Sequence, residues 1–159
     1  FYPLYGALDI PGSGFETGIH SGEVVAYNAY ANPAFITGAS FNFNSAYLTA
    51  AWNDGLQVKV LGFKDNIQID EKIVTVNPSA STFVQFNFDG VDTVRFESSG
   101  GTRAADAQGI GACFVMDDAD ITITSVPDSG ATISLLVGGL GTLMALGRVA
   151  KTRKWLNLL

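Results

Sequence analysis

FNFNSAYLTAAWNDGLQVKVLGF, residues 41–63, is the stretch whose reading decides the fold. Apolar and polar residues alternate through both of its halves, and a chain that alternates with period two sends successive side chains to opposite faces of an extended strand. Phe41, Phe43, Ser45 and Tyr47 are expected on one face, and Asn42, Asn44, Ala46 and Leu48 on the other. In the second half Leu56, Val58 and Val60 alternate with Gln57 and Lys59. Between the halves stands Asn53-Asp54-Gly55, a turn of hairpin grade, because glycine takes positive φ at little cost and Asn or Asp tolerates it.

The same pattern extends in both directions, from Val24 to Thr124. Gly62 to Asn66 reads as a turn before Ile67 and Ile69. Val84, Phe86 and Phe88 alternate with Gln85 and Asn87, Asp89-Gly90 is expected to turn the chain, and Val94 and Phe96 follow. Ile121 and Ile123 close the series. Roughly seven to nine short strands at this spacing point to a two-layer antiparallel sandwich. A closed barrel is the alternative, and the irregular stretch from Ser98 to Gly109 suits a sandwich better.

Composition agrees. Of 159 residues 47% are hydrophobic and 15% charged, against about 25% charged in an average soluble domain, so a packed core is expected rather than disorder. Eighteen glycines and few helix-forming blocks before residue 130 argue against an all-helical fold. A single cysteine, Cys113, excludes an internal disulfide and a multi-thiolate zinc site, and reads as a small core residue beside Phe114. The single histidine, His20, shows no partner in the sequence. Ser98-Ser99-Gly100-Gly101 lacks the strand-to-helix elbow that exposes a catalytic serine. The carboxylates available to a hydrolase are Asp54, Asp89, Asp92, Glu97, Asp117, Asp118 and Asp120, most of them in turns or on polar faces, and no catalytic residue is assigned.

The net charge of −6 divides unevenly. All 15 acidic residues lie at or before Asp128, whereas Arg148, Lys151, Arg153 and Lys154 stand in the last twelve positions. The acidic body argues against a nucleic-acid partner. From Ser129 to Gly147 no residue is charged, and a helix over this stretch would reach about 28 Å, enough to cross a bilayer's hydrocarbon. The basic cluster follows directly with Trp155 inside it, which orients the body outside the cytoplasm. Two segments result: a sandwich over 1–125, whose opening reads as truncated, and a tail over 126–159. The tail comprises a short motif (126–130), an apolar span (131–147) expected as a single transmembrane helix, and a basic end (148–159).

The motif is Val126-Pro127-Asp128-Ser129-Gly130, and the order of motif, span and basic cluster resembles the PEP-CTERM class of bacterial sorting signals in its VPDSG variant. That resemblance implies recognition in the membrane by an exosortase, cleavage near the motif, and delivery to the cell surface or extracellular polymer. Pro127 stops the helix from extending outward, and Asp128 keeps the site at the wet interface.

The body resembles a recurrent ectodomain of such proteins, a jelly-roll sandwich similar to carbohydrate-binding modules. The residues that carry this are GEVVAYNAYANPAFIT (22–37), residues 41–63, FNFDGVDTVRFESSGGT (86–102) and FVMDDADITI (114–123). A structural, adhesive or polysaccharide-binding role is implied, with a surface-polysaccharide enzyme and a plain anchored domain as alternatives. Trp52 at the edge of a turn would offer a flat face to a sugar ring, as would Tyr27, Tyr30 and Tyr47; equally, Trp52 and Tyr47 would fill the core. Asn53 either joins such a site or shapes the turn, as do Asn28 and Asn32.

Modules of this kind also hold a structural calcium between an early acidic loop and the last strand, which implies Glu16 or Glu23 meeting Asp117, Asp118 or Asp120. Strict alternation would put Asp118 and Asp120 on one face and Asp117 on the other, and the spacing is not that of an EF-hand.

Overall fold

The computed structural model describes residues 1–5 and 10–124. The motif 126–130, the span 131–147 and the basic end 148–159 lie outside the described residues. Among the described residues no helix is long and apolar enough to cross a membrane.

The described residues are all-β, with short helical turns. In order come β1 (Tyr2–Tyr5), α1 (Gly14–Thr17), β2 (Val24–Tyr27), a 3-10 turn (Ala29–Ala31), β3 (Ala34–Ala50) and β4 (Asn53–Asp54). Then follow β5 (Leu56–Lys64), β6 (Ile67–Val76), β7 (Thr82–Ser99), β8 (Thr102–Arg103) and β9 (Phe114–Ile123). Seven strands form one antiparallel sheet in the order β1-β2-β9-β3-β7-β5-β6, and β4 pairs with β8 in a second, two-stranded sheet.

The long strands β3 and β7 make the sheet sandwich-like. They pair along most of their length, from Ala34 opposite Phe96 to Leu48 opposite Thr82, with register shifts between Thr37 and Ser45. The outer half of this ribbon, Thr93 to Ser99 of β7, carries β5 and then β6, while the other half, Phe41 to Ala50 of β3, carries β9, β2 and β1. Bulges add twist and bend the strand that holds them, so the two halves fold over a shared core. Phe43 of β3 stacks on Phe86 at 4.7 Å and meets Phe96 edge-on at 5.8 Å, and Phe96 lies 5.9 Å from Phe114 of β9. Val58 and Val60 of β5, Val76 of β6 and Met116 of β9 close the same cluster. Each large side chain so buried contributes about 1.5–3 kcal/mol.

Three sequence expectations are corrected, two by bulges and one by the strand order. Phe41 and Phe43 are buried, but so are Ala46, Leu48 and Ala50, while Ser45 and Tyr47 are not; the buried parity switches at Asn44 and Ser45. There one extra residue of β3 faces β9, with Phe43 opposite Ile121 and Ser45 opposite Asp120. Asp89-Gly90 does not turn the chain. It lies inside β7 as a bulge, with Gly90 at φ 63° and its N–H donating to Asn42 Oδ1 at 2.9 Å, so the buried set passes from Val84, Phe86 and Phe88 to Val91. Asn53-Asp54-Gly55 joins two strands that do not pair with each other, since β3 and β5 lie on opposite sides of β7. The left-handed pair Asp65-Asn66 (φ 51° and 64°) makes the hairpin turn between β5 and β6.

A second cluster forms where α1 covers the outer face of β2, β9 and β3, with Phe15, Val25, Ala51 and Val115 buried in it and Trp52 and Cys113 packed against it. This cover explains why Phe114, Val115 and Met116 are buried in succession: the strand is enclosed on both faces. The approach of α1 needs glycine at residue 14, where a Cβ would stand 1.6 Å from the Ala50 carbonyl oxygen.

Candidate functional site

The segment after α1 meets β9 at the paired aspartates. Asp117 Oδ2 accepts the backbone N–H groups of His20 and Ser21 at 2.7 and 2.9 Å. Asp118 Oδ2 lies 3.0 Å from His20 Nδ1, and Ser21 Oγ donates to Asp118 Oδ1. The His20 ring stacks on Tyr47 at 3.6 Å with an interplanar angle of 17°. His20 thus has a partner, contrary to the sequence reading. Alternation fails at the same place: the step from Ser45 to Tyr47 faces a three-residue step from Asp120 to Asp117, with Asp118 at φ 47°. This bulge turns both carboxylates toward one loop. The hydrogen bond from Ser21 holds the Asp118 carboxyl below the usual carboxylate range; desolvation opposes it, and the neighbouring His20 adds to the lowering.

Serine, histidine and aspartate meet here in an order unsuited to nucleophilic catalysis. Asp118 stands between the other two, so the Ser21 proton is directed to a carboxylate rather than to an imidazole base. The calcium set does not assemble either. Glu16 Oε2 accepts the Gly12 N–H at 2.9 Å, and Asp117 and Asp118 are engaged by the loop. Among the described residues no group of three or more His, Cys, Asp or Glu side chains converges as a metal site.

The three residues expected to hold a ligand have separate settings. Trp52 is half-buried, edge-on to Phe15 at 5.4 Å, and so close to Gly109 that a Cβ there would stand 2.3 Å from the indole. One face of Tyr47 is occupied by His20, with Phe83 at 5.1 Å on its side. Asn53 Nδ2 donates to the Gly100 carbonyl at 3.1 Å and ties the β4–β8 sheet to its turn. Tyr30, by contrast, is 90% exposed and sits at φ 59° in the 3-10 turn. The turn is held by buried Asn28, which donates to Ser98 Oγ at 2.9 Å and accepts the Phe114 N–H at 2.7 Å. A bulky residue in the left-handed region is costly, and such strain gathers at functional positions.

A further surface, not singled out in the sequence, lies on the outer face of the β6-β5-β7-β3 layer. Register places Phe35, Arg95, Leu61 and Glu71 in one row across four strands, and Thr37, Thr93, Phe63 and Gln68 in the next. Phe35 is 51% exposed, with the Arg95 guanidinium 5.9 Å from its ring centroid. Phe35, Phe63, Asn66, Thr93 and Arg95 line a shallow hollow of about 190 Å³. Arg95 also pairs with Glu97, while its Nε is shielded from water without a hydrogen-bond acceptor. The hollow therefore combines ring surface, a forked cation, an amide and a hydroxyl. One signal was available: Phe63 falls on the parity of the polar Gln57 and Lys59, not on that of Val58 and Val60.

No protein-family model matches the chain, and no curated protein matches it. A solved structure titled "CBM4 structure and function" is similar to it, with a TM-score of 0.34 and 13% sequence identity over 63% of this chain. The chain spans 61% of that structure's length. A likeness of this degree assigns no ligand.

Proposed function

We propose that the chain is a non-catalytic, polysaccharide-binding jelly-roll sandwich, displayed at a bacterial cell surface by its C-terminal signal. The observation that carries the binding reading is the outward pair Phe35 and Phe63 with Arg95, Asn66 and Thr93 around one hollow. The C–H face of a sugar ring lies against the aromatic surface, and Arg95, paired with Glu97 through one terminal nitrogen, offers the other to a ring hydroxyl. The hollow is open and shallow, so it takes one ring of a longer chain rather than enclosing a small molecule. Tyr30 offers a second stacking surface. The body's acidic balance, five basic against fifteen acidic residues up to Asp128, favours neutral over polyanionic glycans.

Delivery rests on the VPDSG motif, the uncharged span and the basic end, in the order of an exosortase substrate. The membrane and the exosortase are the partners this reading requires. A glycan array probed with the chain separates the roles: retention without release of reducing ends is expected of a binding module. Released ends would mean an enzyme, and no retention would leave an anchored structural domain. Mass spectrometry of the mature C-terminus in the host tests delivery, with an end near the motif expected and an intact residue 159 contradicting it.

A further inference from the structure

β6 ends the seven-stranded sheet, so one side of its ten-residue backbone has no strand beside it. Natural edges of this length are normally blunted, because their unpaired N–H and C=O groups recruit other strands. This one exposes Ile67, Ile69 and Ile73 at 68, 47 and 56% and carries the charges of Asp70, Glu71 and Lys72 between them. A groove runs along the same side, lined by Lys72 to Thr75 and by Thr82 to Gln85, and includes exposed Phe83.

We propose that this edge pairs antiparallel with β6 of a second copy, centred on Glu71. Two-fold symmetry fixes the options. An axis perpendicular to the sheet keeps each residue on its own face, so only registers in which a residue meets itself are allowed. Centring on Asp70 sets two aspartates opposite each other, and centring on Lys72 sets two lysines opposite each other. Centring on Glu71 places Asp70 opposite Lys72 of the copy twice over and brings Ile69 beside Ile73 of the copy twice over. The two Glu71 side chains then face each other, but each is already compensated by Lys59 Nζ at 3.5 Å and by the amide N–H of Gln68 at 3.0 Å. Lys72 at present donates to the Gln85 carbonyl, an exposed bond that is cheaply exchanged. Centring on Ile69 or Ile73 forms no opposite-charge pair, so the charges on this edge select the Glu71 register instead of forbidding pairing.

One strand edge buries less than the roughly 800 Å² per partner of a standard interface, so the dimer is weak and assembles at high local concentration, as on a crowded surface. Pairing continues the outer face of the β6-β5-β7-β3 layer into the copy, with both hollows on the same side. The dimer itself does not depend on what the hollows bind.

Sedimentation of the full chain in mild detergent, at concentrations up to several hundred micromolar, tests the pairing. Wild type is expected to associate, Asp70→Lys or Lys72→Asp alone to weaken association about tenfold, and the two together to restore it. In a Cys113→Ser background, Glu71→Cys is expected to form a disulfide-linked dimer under mild oxidation. A wild-type monomer throughout, or association indifferent to both single charge swaps, would overturn the proposal. Association by the tail alone would show as the indifferent case.

Discussion

Asp118 shows how one residue departs from what its neighbours in sequence imply. Three aspartates within four positions read as a charge problem that alternation or a cation must solve. The chain solves it with a bulge and a loop of donors: Ser21 and His20 serve Asp118, and backbone N–H groups serve Asp117. No sequence pattern announces this, because the partners are almost a hundred positions away. A carboxylate whose native pKa is depressed contributes stability that is complete above its ordinary pKa and is lost as the pH falls through the native one. The melting-temperature gap between wild type and Asp118→Asn should therefore be widest near neutrality and close below about pH 4. A gap that widens on acidification would contradict the assignment. Gly109→Ala tests the setting of Trp52. The added carbon meets the indole, and a loss of about 1–3 kcal/mol in denaturant unfolding is expected, with a change in tryptophan fluorescence.

At the scale of elements, strand composition was legible, while two of the three expected turns and the connectivity were not. Alternation located β5, β7 and part of β3, because half-buried strands write their burial into every second residue; β9 was marked by Ile121 and Ile123, which are exposed, while Phe114, Val115 and Met116 are buried in succession. It failed at Asn44-Ser45 and at Asp89-Gly90 because a bulge shifts the parity without leaving a Pro or a charge run in the sequence. Asp89-Gly90 has the composition of a turn, and whether such a pair reverses a strand or bends it depends on the partner strand. The hollow was missed for a related reason: Phe35 and Phe63 look like core until their neighbours Arg95 and Thr93 show which face they occupy. Deleting Asn44 should remove the extra residue and put Phe43, Ala46, Leu48 and Ala50 on one unbroken inward parity, with Tyr47 still outward. A retained cooperative thermal transition is the expected result, and its loss would contradict this reading of the bulge. Asn42→Ala should cost about 1 kcal/mol by removing the acceptor for the Gly90 N–H, measured by urea unfolding.

For the whole molecule, the acidic low-charge sandwich and the apolar, basic-ended tail make distinct claims. Replacing Pro127 and Asp128 together by alanine should leave an unprocessed, membrane-retained chain, seen by immunoblot of host membranes; unchanged processing would reject the motif. The central claim is that the outer sheet face holds polysaccharide, and it is most directly tested by affinity electrophoresis through gels containing glycans that retain the wild type on an array. Phe63→Ala and Arg95→Ala should each migrate freely in those gels, with retention weakened about tenfold or more, while Tyr47→Ala remains retarded. Equal retardation of all four proteins, or none in any gel for a correctly folded wild type, would contradict the assignment of that face.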